Sequence, residues 1–284
     1  MNKIAIAICG SSGIDYTYPE LNLEVFRSLI IIDGKEYVDY IDIKADEFYQ
    51  KLETTTNVKT AQVSTGELIE LFERLRDKGY TDVIAITLSS GLSGTYQGVC
   101  FAATIVEGIK VHPFDSLFLG YPEAKMGYVA YKMAEEGKTV DEILEKLTKL
   151  RDSQRTLIAV DTLKFLVLNG RLSAASGFIG SLLKIKPLLE ASRDGKIVVK
   201  EKIRTKARTF ARMKEIFLEE IKDKKNIEPY ILYTNNYYEV YQLRHELASL
   251  TKFKEDEIIL LPLPPVIGVH AGPGTCGIGY IDKE

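Results

Sequence analysis

The sequence predicts an α/β protein of two domains, in which a doubly wound parallel-sheet domain is followed by a mixed-sheet α/β domain. Three observations predict this class. The 284 residues suit two hydrophobic cores better than one. Apolar, strand-like runs alternate with amphipathic helical segments through the first half, as is typical of a parallel sheet. This alternation becomes irregular after Arg155, so we expect domains at 1–154 and 155–284.

The first half contains the more regular elements. Ser64 and Glu67 match a capping box, which opens a predicted helix that ends near Gly79. The other predicted elements of this half are strands at 4–8, 82–88 and 110–115 and helices at 95–107, 122–136 and 140–150.

The second half is predicted to form a mixed sheet. A turn at 193–196 leads into a strand at 197–199. The other predicted elements are strands at 156–160, 230–233, 257–261 and 276–281 and helices at 163–169, 205–221 and 238–250. The Pro- and Gly-rich stretch 262–274 is predicted as a connection between the last two strands. The apolar run from Phe178 to Leu189 is interpreted either as core or as the lining of an acyl-chain tunnel.

Composition narrows the function classes. A net charge of −3 and a sequence pI near 5.8 give no electrostatic reason to expect nucleic acid or an anionic membrane as the main partner. Three scattered cysteines and three histidines do not suit a disulfide framework or a metal site. No apolar run reaches the ~18 residues that span a bilayer, and the first strand is too short for a signal peptide. We therefore expect a cytoplasmic protein without a metal and with at most transient membrane contact.

The segment Ser89-Ser90-Gly91-Leu92-Ser93-Gly94-Thr95-Tyr96 is the most informative part of the chain. It joins a predicted buried strand to a predicted helix, and open α/β sheets bind ligands at such crevices. A helix N-terminus there presents free N–H groups that favour an anion. The glycines and hydroxyls exceed what a helix cap needs, so we predict an anion site over an ordinary capped turn. The segment lacks a P-loop lysine and an in-register G-x-S-x-G, which leaves phosphate and carboxylate both open.

A second candidate site lies near the C-terminus. Residues 272–277 match G-x-G-x-x-G formally, but too little chain follows for a dinucleotide-binding unit. His270 stands among small residues, and its imidazole can donate a hydrogen bond to a carboxylate. The alternative is a histidine with a structural hydrogen bond only.

Two further polar segments have weaker signals. Thr60-Ala61-Gln62-Val63-Ser64 precedes the capped helix and alone indicates only a helix entry. Arg171 follows Gly170, and its guanidinium suits phosphate or carboxylate. A salt bridge or an interaction with a helix C-terminus explains Arg171 equally well.

In this order the segments resemble the DegV family, which includes the fatty-acid-binding subunits of bacterial fatty acid kinase. The resemblance covers essentially the whole chain. The motifs that carry it are 86–97 (ITLSSGLSGTYQ), 115–116 (DS), 161–166 (DTLKFL) with 170–173 (GRLS), and 268–274 (GVHAGPG).

The resemblance implies a long-chain fatty acid in the cleft between the two domains, with no cofactor besides this ligand. In the family a threonine, a loop serine and a histidine near the C-terminus hold the carboxylate. The corresponding predicted set here is Thr60, Ser93 and His270, with Ser90, Gly94 and Thr95 as loop neighbours.

The resemblance also implies a partner, the catalytic subunit of a fatty acid kinase, which binds the nucleotide and phosphorylates the bound acid. The family's arginine after the glycine corresponds to Arg171, which we assign to partner docking or phosphoryl stabilisation. Arg204, within the basic stretch 200–208, is a second candidate for the same surface.

The chain departs from the family pattern at two places. Cys9-Gly10-Ser11-Ser12 stands where the family usually has Thr-Asp-Ser, so the aspartate is missing. Thr60-Ala61-Gln62-Val63-Ser64 stands where the family usually has Thr-Ser-Gln-Pro-Ser. Both departures lie at or near the expected head group.

Two other functions compete with fatty acid binding and presentation. One is an enzyme acting alone, a small-molecule phosphotransferase or hydrolase that uses His270 with Ser93. The other is a regulatory binder whose pocket has degenerated.

Overall fold

A computed structural model describes residues 3–55, 57–172 and 185–283. The strands are β1 (Ile4–Cys9), β2 (Glu24–Phe26), β3 (Leu29–Ile32), β4 (Lys35–Val38), β5 (Val58–Ala61), β6 (Asp82–Thr87), β7 (Lys110–Asp115), β8 (Arg155–Ala159), β9 (Leu188–Ala191), β10 (Ile197–Glu201), β11 (Ile227–Tyr233), β12 (Ile259–Pro262) and β13 (Cys276–Asp282). The helices are α1 (Ile14–Thr17), α2 (Ala45–Leu52), α3 (Thr65–Asp77), α4 (Thr95–Ala103), α5 (Tyr121–Glu135), α6 (Val140–Ser153), α7 (Lys164–Leu168), α8 (Lys206–Ile221), α9 (Tyr237–Leu250) and α10 (Pro265–Ala271).

The first half is built on a parallel sheet with the strand order β2-β1-β6-β7. Side chains alternate between its faces, so Ile8 and Ile86 pack on one side and Ala7 and Ala85 on the other. Helices α5 and α6 cover the isoleucine face, and α3 and α4 cover the alanine face. The predicted doubly wound parallel sheet is confirmed.

A three-stranded antiparallel sheet, of order β4-β3-β5, was absent from the sequence prediction. Strands β3 and β4 are joined by Asp33 and Gly34, which have φ angles of 50° and 85°. An Asp-Gly pair between apolar runs is a strong hairpin signal, because two-residue hairpin turns need positive φ at both positions. This sheet pairs Thr60 on β5 with Ile30 on β3 and so places Thr60 toward the second half.

The second half contains a six-stranded sheet of order β10-β9-β8-β13-β11-β12. The β11–β12 pair is parallel and the other pairs are antiparallel, which confirms the predicted mixed sheet. The predicted turn at 193–196 is present, with Gly195 at φ 74°. Of the apolar run from Phe178 to Leu189, residues 178–184 lie outside the described residues, while Leu188 and Leu189 are buried.

The prediction of 262–274 as a connection without a helix is wrong, because Pro265–Ala271 form helix α10. Pro264 and Pro265 stand at its start, where a missing N–H costs nothing, and Gly272 follows its end with φ 75°. Gly268 lies inside the helix because α10 packs directly on α2. A Cβ at this position would lie 2.6 Å from Tyr49 Oη and 2.8 Å from Phe48 Cε1.

The two halves share one hydrophobic core. Leu232 and Val266 of the second half pack in the same cluster as Ile8 and Phe48 of the first half. The division at 154/155 falls between α6 and β8, and it stays a prediction as a boundary between folding units. Among the described residues no helix is both long enough and apolar enough to cross a membrane.

Replacing Gly268 with alanine should lower the free energy of unfolding by about 1–3 kcal/mol, because the added methyl group overpacks against Tyr49 and Phe48. Gly66→Ala in the first turn of α3 is the matched control. A Cβ there meets only Ser64 Oγ, at 3.9 Å, so stability should stay constant or rise by up to about 1 kcal/mol. Urea unfolding of both variants measures the difference. Equal effects would contradict the close packing of α10 on α2.

Candidate functional site

A cavity of about 330 Å³ lies between the two halves of the molecule. Its size is at the lower end of the range of small-molecule sites. Its apolar lining residues are Leu88, Leu92, Leu119, Ile158, Val160, Leu166, Ile197, Leu232, Leu263, Val266, Ile267 and Ala271. Its polar lining residues are Ser11, Ser28, Thr60, Gln62, Ser93, Thr156, Arg171, His270 and Thr275, with Gly277 beside them.

Helix α10 forms one wall of this cavity. Leu263, Val266, Ile267, His270 and Ala271 all line it. Their spacing of three and four residues places them on a single helix face, with Leu263 just before the first turn. The cavity therefore runs alongside α10, with His270 at the C-terminal end of the helix and Leu263 at the N-terminal end.

Thr60 and His270 form a hydrogen bond between the two halves, with 2.9 Å between Thr60 Oγ1 and His270 Nε2. The other ring nitrogen, Nδ1, is buried and has no hydrogen-bond partner among the described residues. Burial, and then the positive charge of Arg171, lower the pKa of His270 to about 4. At neutral pH the imidazole is therefore uncharged, with one N–H donor and one acceptor nitrogen.

Either tautomer of His270 leaves a donor for a ligand at this contact. If Thr60 donates to Nε2, then Nδ1 carries the free N–H. If Nε2 donates to Thr60, then the Thr60 hydroxyl hydrogen is free. The pair can thus donate to an anionic oxygen without carrying a net charge of its own.

The Ser/Gly loop is held in place by the second half of the chain. Ser89 is buried, and its hydroxyl donates to the carbonyl oxygen of Gly195 at 2.6 Å. A Cβ on Gly91 would lie 2.9 Å from the same carbonyl oxygen, so only glycine fits there. Gly91 was predicted as part of an anion-binding loop. Its lack of a side chain permits a close contact with the backbone of Gly195.

Ser93 is the loop residue that lines the cavity. Its hydroxyl lies 2.9 Å from Thr95 Oγ1 and accepts a hydrogen bond from the Thr95 N–H at 3.3 Å. The predicted loop neighbours surround it without lining the cavity. The Ser90 N–H donates to Asp115 Oδ1 at 3.1 Å, Thr95 is buried, and Gly94 is the N-cap residue of α4.

Arg171 also lines the cavity. Its Nε donates to the carbonyl oxygen of Leu92 at 3.2 Å, and its Nη1 donates to the carbonyl oxygen of Asn169. Arg204 is exposed between β10 and α8 and is not among the described residues that line the cavity. The structure separates the two arginines, while the docking role assigned to them stays a prediction.

Polar contacts connect several of the cavity-lining side chains into one cluster, called the polar ring below. Thr60 bonds to His270, and the charge of Arg171 acts on His270. Arg171 bonds to the carbonyl of Leu92, the neighbour of Ser93. On the other side of Ser93, the Gln62 side chain lies against Gly94, where an added Cβ would be 2.8 Å from Gln62 Oε1.

Ser11, Ser28 and Gln62 also line the cavity but were not predicted as site residues, although Ser11 and Gln62 lie in the two segments that depart from the family pattern. Gln62 could have been found, because residues two apart along a strand point to the same face and Thr60 was already a candidate. Ser28 and Ser11 have no comparable local signal, since the fold of 10–63 decides where they point.

Fold and cavity together define an α/β protein of three sheets with a ligand-sized cavity whose lining is mostly apolar and includes a cluster of polar side chains. The chain belongs to the DegV family. A family model described as "Uncharacterised protein, DegV family" matches residues 3–283. The chain is 35% identical over 263 residues to a DegV domain-containing protein of Staphylococcus aureus, which covers 90% of this chain and 89% of that protein.

Two solved structures are similar over the full length of both chains. A fatty acid binding DegV family protein from Streptococcus agalactiae has a TM-score of 0.91 and 30% identity, with 100% of each chain covered. DegV from Bacillus subtilis, a fatty acid binding protein, has a TM-score of 0.87 and 28% identity, also with 100% of each chain covered. The predicted family is therefore confirmed.

Acidification should destabilise the ligand-free protein through His270. Its pKa is about 4 in the folded chain and about 6.5 when unfolded, so the unfolded state takes up the proton first as the pH falls. The free energy of unfolding therefore decreases as the pH falls from about 6.5 to about 4. From pH 7 to pH 5 the protein should lose about 2 kcal/mol more than a His270→Gln variant. Urea unfolding at both pH values measures this difference.

His245→Gln is the matched control for that experiment, because the His245 side chain is 71% exposed. This variant should show the same loss of stability on acidification as the unmodified protein. If His270→Gln also behaved like the unmodified protein, the depressed pKa of the buried imidazole would be refuted.

Proposed function

We propose that this protein binds a long-chain fatty acid, with the carboxylate in the ring of Thr60, Ser93 and His270 and the acyl chain along α10. One observation carries this proposal: the cavity lining is mostly apolar, and it includes a cluster of hydrogen-bonding groups around the Thr60–His270 contact. A fatty acid has the same division between a polar head and an apolar tail. The similar DegV proteins of B. subtilis and S. agalactiae are fatty acid binding proteins, which supports the same ligand.

The two ends of the cavity contribute differently to binding. Burial of the acyl chain contributes roughly 0.8 kcal/mol per CH₂, so most of the affinity comes from the tail. The donors at the ring prevent the cost of an unpaired buried carboxylate and fix the direction in which the acid lies. The nearby positive charge of Arg171 favours the ionised head group.

We further propose that the bound acid is presented to a separate kinase subunit, which supplies the nucleotide and forms the acyl phosphate. Arg171 lies beside the proposed carboxylate position, so it is placed to stabilise a phosphoryl group that forms there. In this scheme the chain itself positions the acid and performs no chemistry.

Ser93→Ala combined with His270→Ala should weaken the binding of a long-chain fatty acid by about 100-fold to 10,000-fold. Each substitution removes a hydrogen bond to a charged oxygen, and such bonds are worth about 1.5–3 kcal/mol. Displacement of a fluorescent fatty acid measures the affinity, and thermal unfolding verifies that the variant is folded. Ser90→Ala is the matched control in the same loop, since Ser90 is outside the cavity lining. Unchanged affinity in the double variant would refute the assigned carboxylate site.

Native mass spectrometry of the mildly extracted protein separates the competing functions. A bound species in the fatty-acid mass range is the expected result. Incubation of the purified chain with ATP and fatty acid should yield no acyl phosphate until a fatty acid kinase subunit is added. Turnover by the chain alone would instead support the enzyme that uses His270 with Ser93. A folded protein that binds no fatty acid would support the regulatory binder.

A further inference from the structure

A buried carboxyl group lies behind the cavity wall, away from the polar ring. Glu123, in the first turn of α5, is fully buried. Its hydrogen-bond partner among the described residues is Ser11, whose Oγ lies 3.0 Å from Oε2 and 3.3 Å from Oε1. Ser11 itself lines the cavity. The wall along the proposed acyl chain therefore includes a hydroxyl backed by a carboxyl group, which a plain hydrocarbon tail does not require.

The contacts of Ser11 place it near the opposite end of α10 from His270. Its carbonyl oxygen accepts the Gly120 N–H at 3.0 Å. A Cβ on Gly120 would lie 3.0 Å from Leu232 Cδ1 and 3.6 Å from Leu263 Cδ2. Leu263 is two residues before Pro265, the first residue of α10, and His270 is in the last turn. At the helical rise, the seven positions from Leu263 to His270 span about 10 Å, so we place Ser11 roughly this far along the cavity from His270.

The surroundings of Glu123 favour its neutral, protonated form. Burial raises its pKa well above the usual value, the Ser11 hydrogen bond lowers it by less, and the negative charge of Asp115 raises it further. A neutral carboxyl group can donate its own O–H to Ser11 or accept from it. Ser11 can consequently offer either a donor or an acceptor to the cavity. An ionised glutamate would instead have drawn the Ser11 hydrogen to itself.

We propose that Ser11, positioned by Glu123, is a second recognition point that favours an acyl chain with an oxygen substituent, a hydroxyl or keto group, near its middle. This inference rests on the proposed function and specifies its substrate class. An extended chain advances about 1.2 Å per bond, so 10 Å corresponds to roughly eight bonds from the carboxylate. The substituent thus belongs near the ninth or tenth carbon. A plain chain leaves the cavity-facing side of the Ser11 hydroxyl without a partner.

The test compares stearic, 10-hydroxystearic and 2-hydroxystearic acid as competitors for the unmodified protein. 10-Hydroxystearic acid should bind about fivefold more tightly than stearic acid, the gain expected from one neutral hydrogen bond. 2-Hydroxystearic acid should show no such gain, because its hydroxyl lies beside the carboxylate. Equal affinities for all three acids would overturn the inference and leave fatty acid binding intact. Failure to bind any of them would refute the proposed function itself.

Two variants assign the preference to the Ser11–Glu123 pair. Ser11→Ala should reduce the ratio of 10-hydroxystearic to stearic acid affinity to about one. Glu123→Gln keeps a neutral hydrogen-bonding group next to Ser11 and should preserve the ratio. A preference that persists in Ser11→Ala would overturn the assignment. If Ser11→Ala does not fold, the acid series on the unmodified protein still decides the inference.

A fourth competitor, 10-ketostearic acid, distinguishes a keto oxygen from a hydroxyl group on the acyl chain. A ketone only accepts hydrogen bonds, so it requires Ser11 to donate. Since Glu123 can accept or donate, the hydroxylated and keto acids should both bind more tightly than stearic acid. Loss of affinity for both substituted acids would show that this part of the wall tolerates no oxygen, and it would overturn the proposal.

Discussion

The bond between Thr60 and His270 is the contact on which the site depends, because it ties β5 of the first half to α10 of the second. Helix α10 can reach this position only by lying directly on α2, and Gly268 permits that approach. The same helix then presents one of its faces to the cavity. The packing of α10 on α2 therefore determines three features together: the glycine at position 268, the position of the imidazole and the direction of the cavity.

The electrostatics of the site follow from burial. An enclosed imidazole is neutral and offers an N–H without the cost of a buried cation. The positive charge beside it belongs to the Arg171 guanidinium. An anionic head group at the ring would meet neutral donors first and a cation close behind them. The hydrogen bonds therefore orient the head group, and the positive charge attracts it.

Much of the fold followed from local sequence patterns. The Ser64 capping box, the buried strands and the Ser/Gly loop were predicted because short-range rules determine them. The three-stranded sheet and α10 were missed for opposite reasons. The Asp33-Gly34 pair is a hairpin signal for the β3–β4 turn that the sequence prediction did not include. Helix α10 is short and starts with prolines, so packing against α2, rather than propensity, makes it a helix.

The site was predicted less completely than the fold. Thr60, Ser93 and His270 were named through the family resemblance, and the structure brings them to one cavity. Ser11 and Glu123 are 112 positions apart in the chain, and no local pattern joins them. Their contact depends on how α5 packs against the loop after β1. Long-range packing of this kind cannot be obtained from a single sequence.

The contact of the Ser/Gly loop with the Gly195 turn has an evolutionary consequence. Ser89 donates its hydroxyl to a carbonyl group that belongs to the other half of the molecule, and Gly91 approaches the same carbonyl at a distance that admits no side chain. Each half thus has a surface shaped to the other. Recombination between relatives that exchanged one half alone would join surfaces that had not diverged together. Because the two surfaces fit each other, we expect the two halves to be inherited together.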